Sequence, residues 1–528
     1  MNKSSQWLND FLTTLITKDI INSKENLQSI NSYPLLNIEP SSWGYVTKIA
    51  TVNKYRFAGI WAQNLQGKFQ INALFEYLGS YLLLRTIIAT SYKIHSIAQY
   101  YPAANRLERH MRDMFGVKFT DQPDLRRWTR HKAWKENEFP LRENFPLNPE
   151  NPQLTPPDCE YPFQKVHGEG VYEIPVGPIH AGIIEPGHLR FHANGEDVLL
   201  LEERLGYVHK GIEKLAVGRD IDELIKLASR VSGDSTVAYA WATARAFEES
   251  YSIEIPKRAA FLRGILAERE RIANHLGDFA AICNDVGFSF AYSQLMRLKE
   301  LWLRQNALLF GHRLLMDCIT SRGVKVDLDK QQKKNLHQEI NILTEELKEI
   351  FPILEENSSL HDRLKTTGKL SLEMAHTLGV LGYVGRASSC KFDLRHDAPY
   401  PPYDQLQIKV PVYNHGDVLA RLRIRAQEIL SSLKILNSLL LKMPEGTIET
   451  KWQTPKKSAE GIGLIEGWRG EILVYVSFTD NGLVERFFPR DPSWFSWLAL
   501  EELIYGNIVP DFPVCNKSIN GSYSGVDL

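Results

Sequence analysis

A chain of 528 residues with 43% hydrophobic and 24% charged residues has the composition of a soluble globular protein, long enough for two or three domains and a large buried core. Its 62 Lys+Arg against 63 Asp+Glu leave almost no net charge, and no basic stripe interleaved with aromatics marks a nucleic-acid surface, so protein partners are expected and nucleic acid is not. No run approaches the ~18 to 20 apolar residues of a membrane span, the first residues lack a signal-like apolar core, and five scattered cysteines (Cys159, Cys283, Cys318, Cys390, Cys515) form neither a disulfide framework nor a thiolate clip.

In chain order, residues 1–142 mix short apolar runs ("YRFAGIWAQ") with a helix-like "ANRLERHMRDMFGV" and predict a small α+β domain. The turn formers of "ENFPLNPENPQLTPPDCEYPF" are too dense for a regular element and predict a linker over 143–165. A second domain, 166–528, opens with alternating segments whose "HANGED" is a hairpin signal. Long patterns with apolar residues at steps of three and four then predict core-facing helices, among them "AAFLRGILAERERIANHLGDFAAI". The charged "DLDKQQKKNLHQEINILTEELKEIF" predicts a helix with one solvated face. Near the end Asp480-Asn481-Gly482 predicts another hairpin. The fold class expected is α+β, a mainly helical second domain with peripheral β-hairpins.

Motifs that carry chemistry are mostly missing from the sequence. Gly461, Gly463 and Gly467 have the wrong spacing for a dinucleotide loop and enter a strand, and Walker, HExxH and GxSxG motifs are absent. His180, His188 and His192 crowd together with Glu185, but without zinc-like spacing a polar sheet edge is the better reading. Glu268, Arg271, His275 and Asp278 share one helical face, which surface ion pairing explains.

Taken in order, "RLERHMRDMFGVKFTDQPDLRRW", "VGPIHAGIIEPGHLRF", "RLGYVHKGIEKL", "ERERIANHLGDFAAICNDVGF", "GRASSCKFDLRHDAPYPPYD" and the C-terminal "DPSWFSWLALEEL" segment resemble the large subunit of membrane-associated [NiFe] hydrogenases of the formate hydrogenlyase type (hydrogenase-3 and hydrogenase-4) and the related complex I subunits C and D, fused here in one chain. In those hydrogenases an RVCGIC motif and a C-terminal DPCxxC motif each give two thiolates to the nickel–iron centre. The corresponding positions here are Ser232, Ser235, Ser522 and Gly525. Hydroxyls are hard, weakly acidic donors and glycine offers none, so no nickel–iron centre is expected, and the isolated Cys390 and Cys515 do not restore the paired spacing. Helix-start serines capping backbone N–H groups are a sufficient reason for the residues present. The sequence also ends at Leu528 without the peptide that a nickel-dependent protease removes, in keeping with a chain never loaded with metal.

The complex I branch of the resemblance implies a quinone in the vacated cavity, held by a loop histidine and a tyrosine. Here Glu185-Pro186 and Gly233 stand at those places, which leaves His180 or His188 to substitute. The resemblance further implies a proton-handling frame of Glu185 and of Glu213 with His209. Burial would raise such carboxyls toward neutrality, and the alternative is that they pair with Arg230, Arg386 or Arg395. The retention of Arg386, Asp393 and Arg395 with these glutamates points to a working cavity, lined also by His180, His188, Arg230, Ser232, Ser235 and Ser522. The implied protein is an oxidoreductase subunit on the cytoplasmic face of the inner membrane. Its partners would be a small iron–sulfur subunit, carrying the cluster, and antiporter-like membrane subunits. Electron transfer or proton-coupled conversion is expected, with a non-catalytic scaffold as the alternative; no NAD site is visible on the chain.

Overall fold

The computed structural model describes residues 3–21, 27–131, 134–148, 161–453 and 455–528, and half of the expected linker, 149–160, lies outside them. Helix α1 (Lys3–Thr17) precedes a mixed sheet of β1 (Leu27–Ile30), β2 (Tyr33–Asn37), β3 (Arg56–Leu65), β4 (Lys68–Tyr77) and β5 (Ser80–Ala89), with α2 (Trp43–Val52) between β2 and β3. Its order is β1-β2-β5-β4-β3, with β2 and β5 parallel and the long strands joined by tight turns. The short parallel pair β6 (Lys93–His95) and β7 (Lys118–Thr120) flanks α3 (Ala104–Phe115), which Gly116 ends in the left-handed conformation that glycine adopts without strain.

The second part begins with an antiparallel sheet of β8 (Val171–Val176), β9 (His188–Asn194) and β10 (Asp197–Arg204), the last two forming the hairpin expected at "HANGED". Helices α4 (Ile212–Ala216), α5 (Ile221–Ala228), α6 (Thr236–Tyr251), α7 (Lys257–Asp285) and α8 (Ser289–Phe310) follow. After the two-residue strands β11 (Ile319–Thr320) and β12 (Gly323–Val324) come α9 (Lys330–Glu355), α10 (Ser358–Leu364), α11 (Leu372–Thr377), α12 (Gly382–Ala387), α13 (Leu394–Asp397) and α14 (Val418–Lys442). The charged helix α9 starts in a capping box of Asp329 and Gln332 and buries the single stripe Leu336, Ile340, Leu343, Leu347, Ile350 and Leu354, as its pattern requires. The chain closes with the meander β13 (Ala459–Gly467), β14 (Gly470–Phe478) and β15 (Val484–Arg490), then α15 (Ser493–Leu503), α16 (Phe512–Ile519) and α17 (Tyr523–Asp527).

The fold is α+β, but this last sheet is not peripheral. Every residue of β14 is buried, because the meander is wedged between the N-terminal sheet and α6. Its glycines answer the nucleotide question: a Cβ at Gly461 would lie 2.2 Å from Ala246 O and one at Gly463 1.9 Å from Ala242 O, so β13 lies directly on the helix backbone. On its other side Trp61 of β3 stacks on Phe488 at 5.3 Å, and Arg490 and Arg486 donate to the carbonyls of Ala58 (2.9 Å) and Ala62 (2.8 Å) on the β3 edge. Ion pairs Arg56–Glu471 and Arg85–Glu460, each 2.7 Å, fasten the two parts together.

The long helix α7 runs through the second part with 24 of its 29 residues buried. A helix covered on all sides cannot have the solvated ion-pair face expected of Glu268, Arg271, His275 and Asp278. All four are buried, and their charges are met by neighbouring elements instead of water.

Candidate functional site

The four positions compared with thiolates converge. Ser232 lies in the turn before α6, Ser235 at its start, Ser522 at the start of α17 and Gly525 in that helix's first turn. Ser232 Oγ is 2.9 Å from Ser522 Oγ, although 290 residues separate them. The hub is a residue that the sequence reading passed over. Asp234 Oδ1 accepts from Ser232 Oγ (2.6 Å), Ser235 Oγ (3.3 Å) and Arg469 Nη1 (2.9 Å), while Oδ2 accepts from Arg469 Nη2 (2.6 Å). Burial would raise this carboxyl, but Arg469 and the two hydroxyls outweigh it and hold it below the usual carboxylate range. Arg469 sits in the two-residue turn between β13 and β14, and its Nε also donates to Asn520 O at 2.6 Å. Trp468 of the same turn donates to Asp234 O at 2.8 Å.

The serines are therefore not simple caps. Ser522 does cap α17, accepting from Gly525 N at 2.9 Å, but Ser235 makes no side-chain cap. The α6 N–H groups of Val237 (2.7 Å) and Ala238 (3.2 Å) are met by the Glu270 carboxylate from α7. These residues do not fit a nickel–iron centre. The hydroxyls of Ser232, Ser235 and Ser522 are 4%, 2% and 3% exposed residues turned onto Asp234 and each other, and a Cβ at Gly525 would lie 2.7 Å from Asp491 Oδ2. Asp491 is itself held by Tyr239, whose hydroxyl donates to it at 2.6 Å.

The remaining expected site residues divide into three places. Glu185 and His180 lie in the β8–β9 loop beside the serines: Ser524 N donates to Glu185 Oε2 at 3.0 Å, and His180 Nε2 is 3.3 Å from the Tyr523 hydroxyl. Glu185 is exposed rather than buried, and no arginine pairs with it among the described residues. Arg230 is exposed as well and is bound to Asp317 at 2.7 Å, so it is no part of the cavity. His188 points away. It lies on β9, the central strand of its sheet and not an edge, next to Phe163 and accepting from Arg190 Nε at 3.3 Å. His192, on the same face, meets Glu173 at 3.4 Å. Among the described residues no group of three His, Cys, Asp or Glu side chains is placed to hold a metal ion.

Glu213 overturns the expectation of a carboxyl raised toward neutrality. Burial pushes it up, but Arg486 at 2.7 Å, and after it His110 at 2.7 Å, outweigh burial and hold it at about 2. Its histidine is thus His110 of α3, not His209, which instead contacts Asp527 O at 2.7 Å. Burial also lowers the His209 imidazole.

Arg386, Asp393 and Arg395 form the third place, a sealed network against α7 and α14. Arg386 binds Glu428 (2.6 Å), Glu466 (3.1 Å) and Asp393 (3.4 Å), and Arg395 binds Asp393 (2.8 Å) and Glu268 (3.0 Å). His275 joins through Glu428 at 2.8 Å, and its ring meets that of Trp468 at 5.9 Å, which links the network to the Asp234 hub.

Three family descriptions match successive parts of the chain: the respiratory-chain NADH dehydrogenase 30 Kd subunit over 36–151, the nickel-dependent hydrogenase over 210–283, and the respiratory-chain NADH dehydrogenase 49 Kd subunit over 285–460. Hydrogenase-4 component G of Escherichia coli K12 is 31% identical over 83% of this chain and 76% of its own. The carbon monoxide-induced hydrogenase of Rhodospirillum rubrum is 32% identical over 66% of this chain and 97% of its own. Among solved structures, a chain of the membrane-bound sulfane sulfur reductase, an archaeal respiratory membrane complex, superposes with a TM-score of 0.64 at 25% identity, covering 68% of this chain and 99% of that one.

Proposed function

Because the chain belongs to the family of [NiFe]-hydrogenase-like large subunits that also supplies complex I with its fused C and D subunits, we propose that it is the large peripheral subunit of a membrane-bound, complex I-like oxidoreductase assembly that works without a nickel–iron centre. The observation that carries this reading is the Asp234 hub. Where the relatives' motifs place four thiolates, this chain places three hydroxyls already bound to one another or to Asp234, and a glycine with no room for a side chain. Dihydrogen chemistry is not its task.

The partners that suit this reading are membrane subunits of the antiporter type and a small iron–sulfur subunit that carries the cluster, on the cytoplasmic face. No helix among the described residues is long and apolar enough to cross a membrane, so attachment would run through such partners. Within the assembly the chain takes part in proton-coupled energy conversion. A quinone-like acceptor would meet it at the β8–β9 loop, where His180 and Tyr523 stand together. A scaffold role is favoured by one specific observation, the burial of the three serine hydroxyls.

The test is elemental analysis of the native complex for nickel and iron, with extraction of bound quinone and an assay of hydrogen uptake. Absence of nickel and of hydrogen uptake is expected, with iron explained by clusters of other subunits. Stoichiometric nickel on this chain would refute the proposal. Quinone supports the redox role; its absence leaves the scaffold.

A further inference from the structure

The network around Arg386 is unbalanced. Four carboxylates, Glu268, Asp393, Glu428 and Glu466, face three guanidiniums, Arg271, Arg386 and Arg395, and each of the seven residues is 4% exposed or less. A net charge sealed from water in a core costs several kcal/mol after all relaxation, so such a cluster closes its charge by holding a proton. His275 does not carry this proton. Its Nε2 serves Glu428 at 2.8 Å, but its buried Nδ1 meets no hydrogen-bond partner among the described residues. An imidazolium would leave that N–H unpaired, and burial lowers this imidazole, so His275 is neutral.

The proton then belongs to the carboxyl with the poorest supply of donors. Glu428 receives two Arg386 nitrogens (2.6 and 3.0 Å), Arg271 (3.4 Å) and His275. Asp393 has the Arg395 fork at 2.8 and 3.0 Å, and Glu268 has Arg395 (3.0 Å), Tyr403 (2.6 Å) and Ser432 (2.5 Å). Glu466 has one nitrogen of Arg386 at 3.1 Å, shared with Phe392 O, and the Leu394 N–H at 3.1 Å.

We infer that Glu466 is an internal proton-binding site of this chain, loaded from the cleft between the N-terminal sheet and the helical part. Two clefts of about 470 and 850 Å³ meet at Ser32 and Arg245. The smaller is lined by Leu394, whose N–H serves Glu466, and the larger by Tyr400, whose hydroxyl accepts from Glu466 N at 3.1 Å. The cleft walls thus include the residue whose N–H binds the Glu466 carboxyl and the one whose hydroxyl binds the Glu466 backbone. The groups facing Glu466 are Arg271 from α7, Arg386 from α12, Asp393 and Arg395 at α13, with Arg245 over the Tyr400 ring at 4.7 Å. Burial first, and then Asp393, push the Glu466 carboxyl up to about 7 against the pull of Arg386. Three residues along β13 and its turn, Arg469 holds Asp234, so a proton gained or lost here alters the field at the serine hub. The inference rests on the proton-coupled reading above only for its purpose.

Infrared titration of the full-length chain tests it. The difference between the wild-type and Glu466→Gln spectra should show a protonated-carboxyl carbonyl band that fades as the pH rises through about 7. This band comes over and above those of Asp527, Glu108 and Glu270, which burial also raises to about 7, 8 and 8. The variant should release one proton equivalent fewer per chain over that range. Glu466→Asp, which keeps a carboxyl at this place, guards against misfolding: it should retain the band that Glu466→Gln loses. No such band in the wild-type minus Glu466→Gln difference, or the same band in the difference between wild type and His275→Gln, would overturn the inference. None of these outcomes depends on nickel or quinone, so the failure of this site and of the proposed function are told apart.

Discussion

Replacing Glu213 by Gln separates a proton relay from a structural ion pair. The carboxylate is 2% exposed and sits 2.7 Å from both Arg486 and His110, so the amide leaves the Arg486 charge buried opposite a neutral group. Removing one partner of a buried pair costs about 3–5 kcal/mol. An independent route gives a similar figure: a carboxyl held at about 2 instead of 4.5 stores about 3 kcal/mol at ~1.4 kcal/mol for each pH unit. With an unfolding entropy of ~2.1 cal/mol/K per residue over 528 residues, that is a fall of about 3 °C in the midpoint. The sign follows from the direction of the shift. The folded-state carboxyl titrates below the unfolded one, so its contribution is complete above about pH 4.5 and drains away as the pH falls toward 2. Thermal unfolding of wild type and Glu213→Gln from pH 7 down to pH 3 is the assay. The two should differ most at neutral pH and approach one another in acid. A variant with the wild-type midpoint at every pH, or a difference that changes between pH 6 and 8, would refute the reasoning and return Glu213 to the relay.

Asp234→Asn should cost about 1–2 kcal/mol, less than a sealed pair because the Asp234 side chain is 37% exposed, and a double-mutant cycle with Arg469→Gln should recover a coupling of about 1 kcal/mol; additive effects would show that the hub is not one unit. Gly525→Ala should destabilise by about 1–3 kcal/mol through the 2.7 Å approach to Asp491, read by thermal unfolding, whereas an unchanged midpoint would mean that the site can open for a side chain. Glu471→Gln strips Arg56, Arg490 and Tyr81 of a shared buried acceptor and should lower stability by about 3–5 kcal/mol. Hydrogen exchange should quicken first in β3 and β14; protection there equal to wild type would count against the interface as described.

Local signals served the fold well. The hairpins at Asn194-Gly195 and Asp480-Asn481-Gly482 and the capped, one-faced α9 are set by nearest neighbours, and the sequence shows nearest neighbours. The site was half legible. The places of Ser232, Ser235, Ser522 and Gly525 came from motif resemblance, and the structure does bring them together. Asp234, although it lies inside "RVSGDS", has its partner 235 residues away, and Glu213 finds His110 across 103 residues and across both parts of the chain. No periodicity reports such pairings. One signal was available in α7: Glu268, Arg269, Glu270 and Arg271 are consecutive, and four successive residues point around the whole helix, so a helix with a buried apolar side must bury some of these charges too.

The edge of β3 carries a consequence for how such a protein can be assembled. The carbonyls of Ala58 and Ala62 are taken by two arginines that lie more than 400 positions later in the chain. Were the first part made as a polypeptide of its own, it would leave the ribosome with a bare strand edge, an open invitation to pair with another copy until its partner arrived. Joining both parts in one translation product sets their ratio at one to one and keeps the covering arginines close at hand. The covalent link thus does its work during biogenesis; once β15 has closed over β3, hydrogen bonds and ion pairs hold the two parts together.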